Sequence, residues 1–127
     1  AFATMDGVKR VVELLNEAGE LCAKQGVLFG YHNHDWEFAP VEGEAPFDYM
    51  LANTPNDSVA YQLDVYWATK AGRDPLDLLR QHGDRFPSLH LKDIDSAGDF
   101  TDVGSGLIDF PSVVRLAIEQ GTSHFFV

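Results

Sequence analysis

The sequence predicts an α/β fold of parallel strand–helix repeats, and three features of the chain carry that prediction. Short apolar runs suited to strands begin near Val27, Val59, Phe86 and Ser123, roughly thirty residues apart, which is the length of one strand plus its crossover. Between them lie stretches with apolar residues at three-and-four spacing, bounded by capping residues and glycines. The first three of these runs also turn from apolar to polar toward their C-terminal ends. An open doubly wound sheet and a (β/α)8 barrel both show this pattern. A whole barrel takes about 250 residues, so four such repeats are half of one.

In chain order, residues 6–25 form a helix whose apolar face is Val8, Val11, Val12, Leu15, Ala18 and Cys22. Thr4 or Asp6 caps its start and Gly26 ends it. The run "VLFGYHNH" reads as a buried strand, and residues 46–53 as a short helix closed by the turn "NTPND". "VAYQLDVY", residues 59–66, is the second strand. Asp74-Pro75 opens a helix in cap-then-proline order, with Gly83 after it. "FPSLHLKD" is the third strand. Asp109 starts a helix through Val113, Val114, Leu116, Ala117 and Ile118 that stops at Gly121, and "SHFFV" begins a fourth strand. The expected organisation is one domain over residues 1–127, with about four strands and four helices.

At 127 residues and 45% hydrophobic content the chain can fill a core. Nine basic residues against twenty acidic ones leave a net charge of −11, a sign that repels phosphate backbones and argues against nucleic-acid binding. No apolar run is long enough to span a membrane and no targeting segment is visible, so a cytoplasmic protein is expected. The single cysteine, Cys22, excludes an internal disulfide and a thiolate zinc site.

Residues two apart on a strand share a face. His32 and His34, then Gln62 and Asp64, then Ser88, His90 and Lys92 are therefore same-face sets on successive strands. They fall at the carboxyl ends, where parallel α/β proteins bind ligands. Carboxylate and imidazole together suit a divalent ion such as Mn, Mg, Zn or Co, and Lys92 adds a cation able to hold a substrate oxygen. Asp93, Asp95, Asp99 and Asp102 read as a solvated loop. The glycines of "VGSGLIDF" read as a flexible loop before the Asp109 cap, or else as a phosphate cradle. His82, at a helix end, is expected to meet carbonyl groups and to have no catalytic role.

Taken in order, "YHNHDWEF", "LDVYW", "HLKD" and "VGSGLIDF" resemble the sugar phosphate isomerase/epimerase family of xylose isomerase-like (β/α)8 barrels. The resemblance implies the C-terminal half of such a barrel. It also implies one divalent ion held by Asp64, by His90 and by Glu37 of "HDWEF", with His32 as the substitute should Glu37 not fold back from its loop. A fourth ligand, a glutamate, is expected just after Val127. Glu37 would then serve as the general base and Lys92 as its electrostatic partner. His32 and His34 would orient hydroxyls, and Trp36, Tyr66 and Trp67 would form an apolar floor for the sugar. The implied activity is isomerisation or epimerisation of a sugar or sugar phosphate by proton transfer through a metal-stabilised enediolate. A sugar or cyclitol dehydratase is the alternative. A further alternative is a non-catalytic half-barrel, self-associating through two exposed edges and an apolar inner face. A His-x-His pair also occurs in metal-dependent amidohydrolases, but those need more strand histidines than His90 alone. Apurinic-site endonucleases of the same superfamily need more histidines and a basic DNA face.

Overall fold

The computed structural model describes residues 1–127. The elements in chain order are α1 (Met5–Ala23), β1 (Phe29–His32), α2 (Pro46–Asn53), β2 (Val59–Asp64), α3 (Val65–Lys70), α4 (Pro75–His82), β3 (Ser88–His90), β4 (Asp93–Ile94), β5 (Phe100–Thr101), α5 (Phe110–Glu119) and β6 (His124–Phe126). Short 3-10 turns lie at Trp36–Phe38 and Gly83–Arg85. Strands β1, β2, β3 and β6 form one parallel sheet in that order, while β4 and β5 make a separate antiparallel hairpin. This is part of an α/β barrel: four parallel strands with helices packed on one face.

Local chemistry sets the boundaries. The Thr4 hydroxyl accepts from the Gly7 N–H and starts α1. Asp74 and Asp109 cap α4 and α5, each followed within two residues by proline. The core lies between the helices and one side of the sheet, with Val8 and Val12 of α1, Met50 of α2 and Leu79 of α4 against Tyr61, Leu63 and Leu89. Helix α1 approaches β2 so closely at Gly19 that a Cβ there would meet Ser58 O at 2.6 Å. Buried Arg85 ties α2 to β2 by donating to Leu51 O, the Thr54 hydroxyl and Val59 O.

Four expectations change. The first strand is neither as long nor as buried as "VLFGYHNH" suggests. β1 runs only from Phe29 to His32, and Val27 and Leu28 ahead of it are exposed. The second strand stops at Asp64 instead of Tyr66, because the Asp64 carboxylate accepts the Trp67 N–H and turns the chain into α3. The acidic stretch after β3 is an ordered hairpin. The face of the sheet away from the helices is also mixed, not simply apolar: Gly30, Ala60, Gln62 and Ser88, small or polar, lie beneath His32, Asp64 and His90, while Phe126, in register with His90, is an exposed apolar side chain on it.

Candidate metal centre

The parallel register brings the strand ends together. His32 pairs with Gln62, and Asp64 with His90. Asp64 is fully buried and its two oxygens have different surroundings. Oδ1 accepts the Trp67 N–H at 3.1 Å and is used up as the cap of α3. Oδ2 has His32 Nε2 at 3.2 Å, His90 Nδ1 at 3.2 Å and Lys92 Nζ at 3.1 Å, yet none of them is aligned to complete a hydrogen bond with it. A buried anionic oxygen is costly unless it is paired or coordinates a cation. One donor atom each from His32, Asp64 and His90 lies within 4.8 Å of the others, so the trio has the spacing and the chemistry to hold one metal ion.

The electrostatics agree with the geometry. Burial pushes the Asp64 carboxyl up, but the His32 imidazole, the Trp67 N–H and Lys92 together hold it below the usual carboxylate range. The two imidazoles diverge: the Asp64 carboxylate raises His32, whereas burial and Lys92 lower His90.

Asn33, which the strand pattern gave no reason to single out, supports the site from below. It is buried, its Oδ1 accepts the Asp64 N–H at 2.9 Å and its Nδ2 reaches Asp64 O at 3.4 Å. This side chain bridges β1 and β2 one residue past the last strand pair, and so fixes the backbone that carries the carboxylate. A signal was present: an Asn between two same-face histidines faces the interior, where its amide must find backbone partners.

Glu37 is not part of the trio. The 3-10 turn folds it inward, fully buried, where it accepts from the Tyr31 hydroxyl at 2.5 Å and from the His34 N–H at 2.9 Å. Burial and this carboxylate drive the Tyr31 phenol far above its ordinary value. The structure thus brings His32, rather than Glu37, to Asp64 and His90. Tyr66 lies apart from the trio as well. It is buried, donates its hydroxyl to Gly98 O and stacks on Phe100 with centroids 3.9 Å apart, so it faces the hairpin.

Other predicted residues do gather at the rim. His34 stacks on exposed Trp36 at 4.2 Å and lies 5.5 Å from the Trp67 ring. Phe100, on the unpredicted hairpin, packs edge-on against Trp67 and has Lys92 Nζ 5.4 Å from its ring centre. His124 is in register with Ser88 but exposed, with Nδ1 2.9 Å from the Ser123 hydroxyl.

The loop after the hairpin is neither free nor a phosphate cradle. Asp93 Oδ2 accepts the Gly104 and Gly106 N–H groups, and Oδ1 accepts those of Ile94 and Ile108. The donors that would cradle a phosphate are already bonded to a carboxylate.

A family model described as a xylose isomerase-like TIM barrel matches residues 3–127. The inosose dehydratase of Geobacillus thermodenitrificans is 27% identical over 135 residues, which cover 92% of this chain and 45% of that protein. A sugar phosphate isomerase/epimerase structure from Parabacteroides distasonis superposes with a TM-score of 0.88 and 36% identity, over 98% of this chain and 45% of that one. An IolI protein with a bound zinc atom shares the fold at a TM-score of 0.72 and 22% identity, over 94% of this chain and 46% of that one. The chain spans about half the length of the relatives it matches. No helix is long and apolar enough to cross a membrane.

Proposed function

We propose, for a chain that belongs to the xylose isomerase-like TIM-barrel family, that His32, Asp64 and His90 hold one divalent cation. We further propose that the site moves a proton at a carbon beside the carbonyl of a sugar or cyclitol. This reading rests on one atom, the buried Asp64 Oδ2, on which two imidazole nitrogens and the Lys92 ammonium converge to within 3.2 Å. Two imidazoles and one carboxylate suit zinc, cobalt or manganese better than magnesium. A bound ion of this kind supplies a Lewis acid that makes the C–H next to a carbonyl more acidic.

The chain's own groups supply the rest. Lys92 sets an ammonium beside the trio, where it stabilises negative charge gathering on a substrate oxygen. Trp36, Trp67 and Phe100 present ring faces and edges to substrate C–H groups. His34 stands outside the trio at the same rim and is the group assigned to carry the proton. Glu37 holds the His34 backbone in place and is not itself the base. With the Gly104 and Gly106 donors bonded to Asp93, an unphosphorylated substrate fits better than a sugar phosphate.

Isomerase or epimerase is the first reading, supported by the likeness to the Parabacteroides distasonis structure. Dehydratase is the second, supported by the inosose dehydratase relatives. Both begin with loss of the same proton and part on whether a hydroxyl leaves the next carbon. The chain, loaded with manganese, cobalt or zinc and incubated in D2O with ketohexoses and an inosose, is followed by NMR. Deuterium entering beside the carbonyl with every hydroxyl retained supports the isomerase/epimerase reading, and loss of water supports the dehydratase. A chain that binds none of the three metals in calorimetry overturns the proposal.

Self-association is a separate proposal. Strands β1 and β6 each leave an edge unpaired, and Leu28, Phe126 and Val127 beside those edges are exposed. Sedimentation equilibrium is expected to show a concentration-dependent dimer. A compact monomer at high concentration counts against it.

A further inference from the structure

One row below Asp64 and His90, a chain of polar side chains runs from His32 across the sheet. His32, Gln62 and Ser88 are direct register partners on β1, β2 and β3. His32 Nδ1 lies 2.7 Å from Gln62 Oε1, and Gln62 Nε2 donates to the Ser88 hydroxyl at 2.7 Å. The residues below are Gly30 and Ala60, themselves paired in register, so nothing bulky competes with this arrangement.

A carboxamide has an accepting end and a donating end. Here Ser88 takes the donating end, which leaves Oε1 facing the imidazole. An acceptor in that position requires the proton on His32 Nδ1, and a neutral ring then carries its lone pair on Nε2. Nε2 is the atom that faces Asp64 Oδ2, at 3.2 Å. His90 offers Nδ1 to the same oxygen, but no side chain holds its other nitrogen. Of the two imidazoles, His32 alone has its ring fixed in advance.

We propose that Gln62, held by Ser88, is a positioning residue that selects the His32 tautomer presenting Nε2 to a cation. This inference rests on the metal reading of the trio. Gln62 and Ser88 touch no reacting atom, and they act through His32. Outer partners of this kind raise ligand basicity and pre-orient the ring. A purely structural residue at this position would tolerate replacement by an apolar side chain of similar size, and that difference can be measured.

The variants are Gln62→Leu, Gln62→Glu and Ser88→Ala. Zinc alone is titrated calorimetrically, cobalt absorption bands report the ligand set, and nitrogen-15 NMR of the metal-free protein reads the His32 tautomer. Circular dichroism melts confirm that each variant folds. Gln62→Leu is expected to weaken zinc binding by about ten- to a hundredfold and to leave His32 as a mixture of tautomers. Gln62→Glu offers an acceptor to the same Nδ1–H and is expected to restore both affinity and tautomer. Ser88→Ala, which only frees the carboxamide to turn, falls between. Equal zinc affinity in Gln62→Leu and the unaltered chain overturns the inference, and so does a Gln62→Glu variant as weak as Gln62→Leu. An unaltered chain that binds no zinc overturns the metal reading instead. In that case the tautomer measurement, made where the His32 ring is neutral, still decides whether Gln62 orients His32, and a neutral ring protonated on Nε2 and not on Nδ1 shows that it does not.

Discussion

Asp93→Ala is expected to be the most destabilising single substitution outside the apolar core, lowering unfolding free energy by about 3 kcal/mol. The Asp93 side chain organises everything between β3 and α5. It accepts backbone N–H groups from Ile94, Gly104, Gly106 and Ile108, and the loop that supplies them closes it off from solvent. The stability this side chain confers lies in the four charge-assisted bonds to its carboxylate. Gly106 sits against the carboxylate at a distance that leaves no room for a Cβ, which explains a glycine there. With alanine at 93 the four donors lose their common acceptor, and the loop opens to find water. Asp93→Asn is no rescue, since it turns an amide NH2 toward N–H donors. Denaturant titration measures the loss, and hydrogen exchange at Gly104, Gly106 and Ile108 locates it. Slow exchange at those amides in Asp93→Ala would show that the carboxylate is not what orders the loop.

The same residue makes a prediction about pH. Burial pushes the Asp93 carboxyl up, but the four N–H groups outweigh it and hold the group below the usual carboxylate range. A carboxylate depressed in the folded state stabilises fully above its unfolded value of about 3.9. That contribution is lost as pH falls through the lower, folded value. Below about pH 4 the hairpin and loop are therefore expected to open ahead of the parallel sheet, and Asp93→Asn is expected to flatten this part of the acid transition.

How much of the site can be read without coordinates differs from strand to strand. Alternation along "VAYQLD" and "SLH" is enough to set Asp64 and His90 side by side, because both strands are paired in parallel and the polar residue ends each one. "YHNHDWEF" defeats the same reasoning. β1 stops at His32, and the chain then enters a 3-10 turn whose hydrogen bonds decide which acid turns in and which residue stays at the rim. Val65, Tyr66 and Trp67 favour strands by propensity, yet they form the first turn of a helix that the Asp64 side chain caps. Asp93 reads as one of four loop aspartates because its partners lie eleven to fifteen residues on, beyond any local pattern. The β-α alternation, by contrast, depends on local periodicity and chain length, and it survives intact.

Asp64→Asn is expected to abolish divalent cation binding, with a loss of at least a hundredfold in zinc affinity, while leaving the fold in place. The substitution separates the two duties of one side chain. Asparagine is as good a helix cap as aspartate, so its oxygen can still accept the Trp67 N–H and hold α3. The Asn33 bonds run to the backbone of residue 64 and do not depend on its side chain. The anionic oxygen at the centre of the trio is replaced by an NH2 that faces His32, His90 and Lys92, all of them nitrogen groups. Loss of one charged ligand costs about 3 kcal/mol, which is about two orders of magnitude in affinity. Asp64→Ala removes the cap as well and is expected to cost about 1 kcal/mol more in stability, with no further effect on zinc. Calorimetric titration and thermal melts of both variants read the two effects independently. If Asp64→Asn takes up zinc as tightly as the unaltered chain, the ion sits elsewhere, and the buried oxygen is only a partner for Lys92.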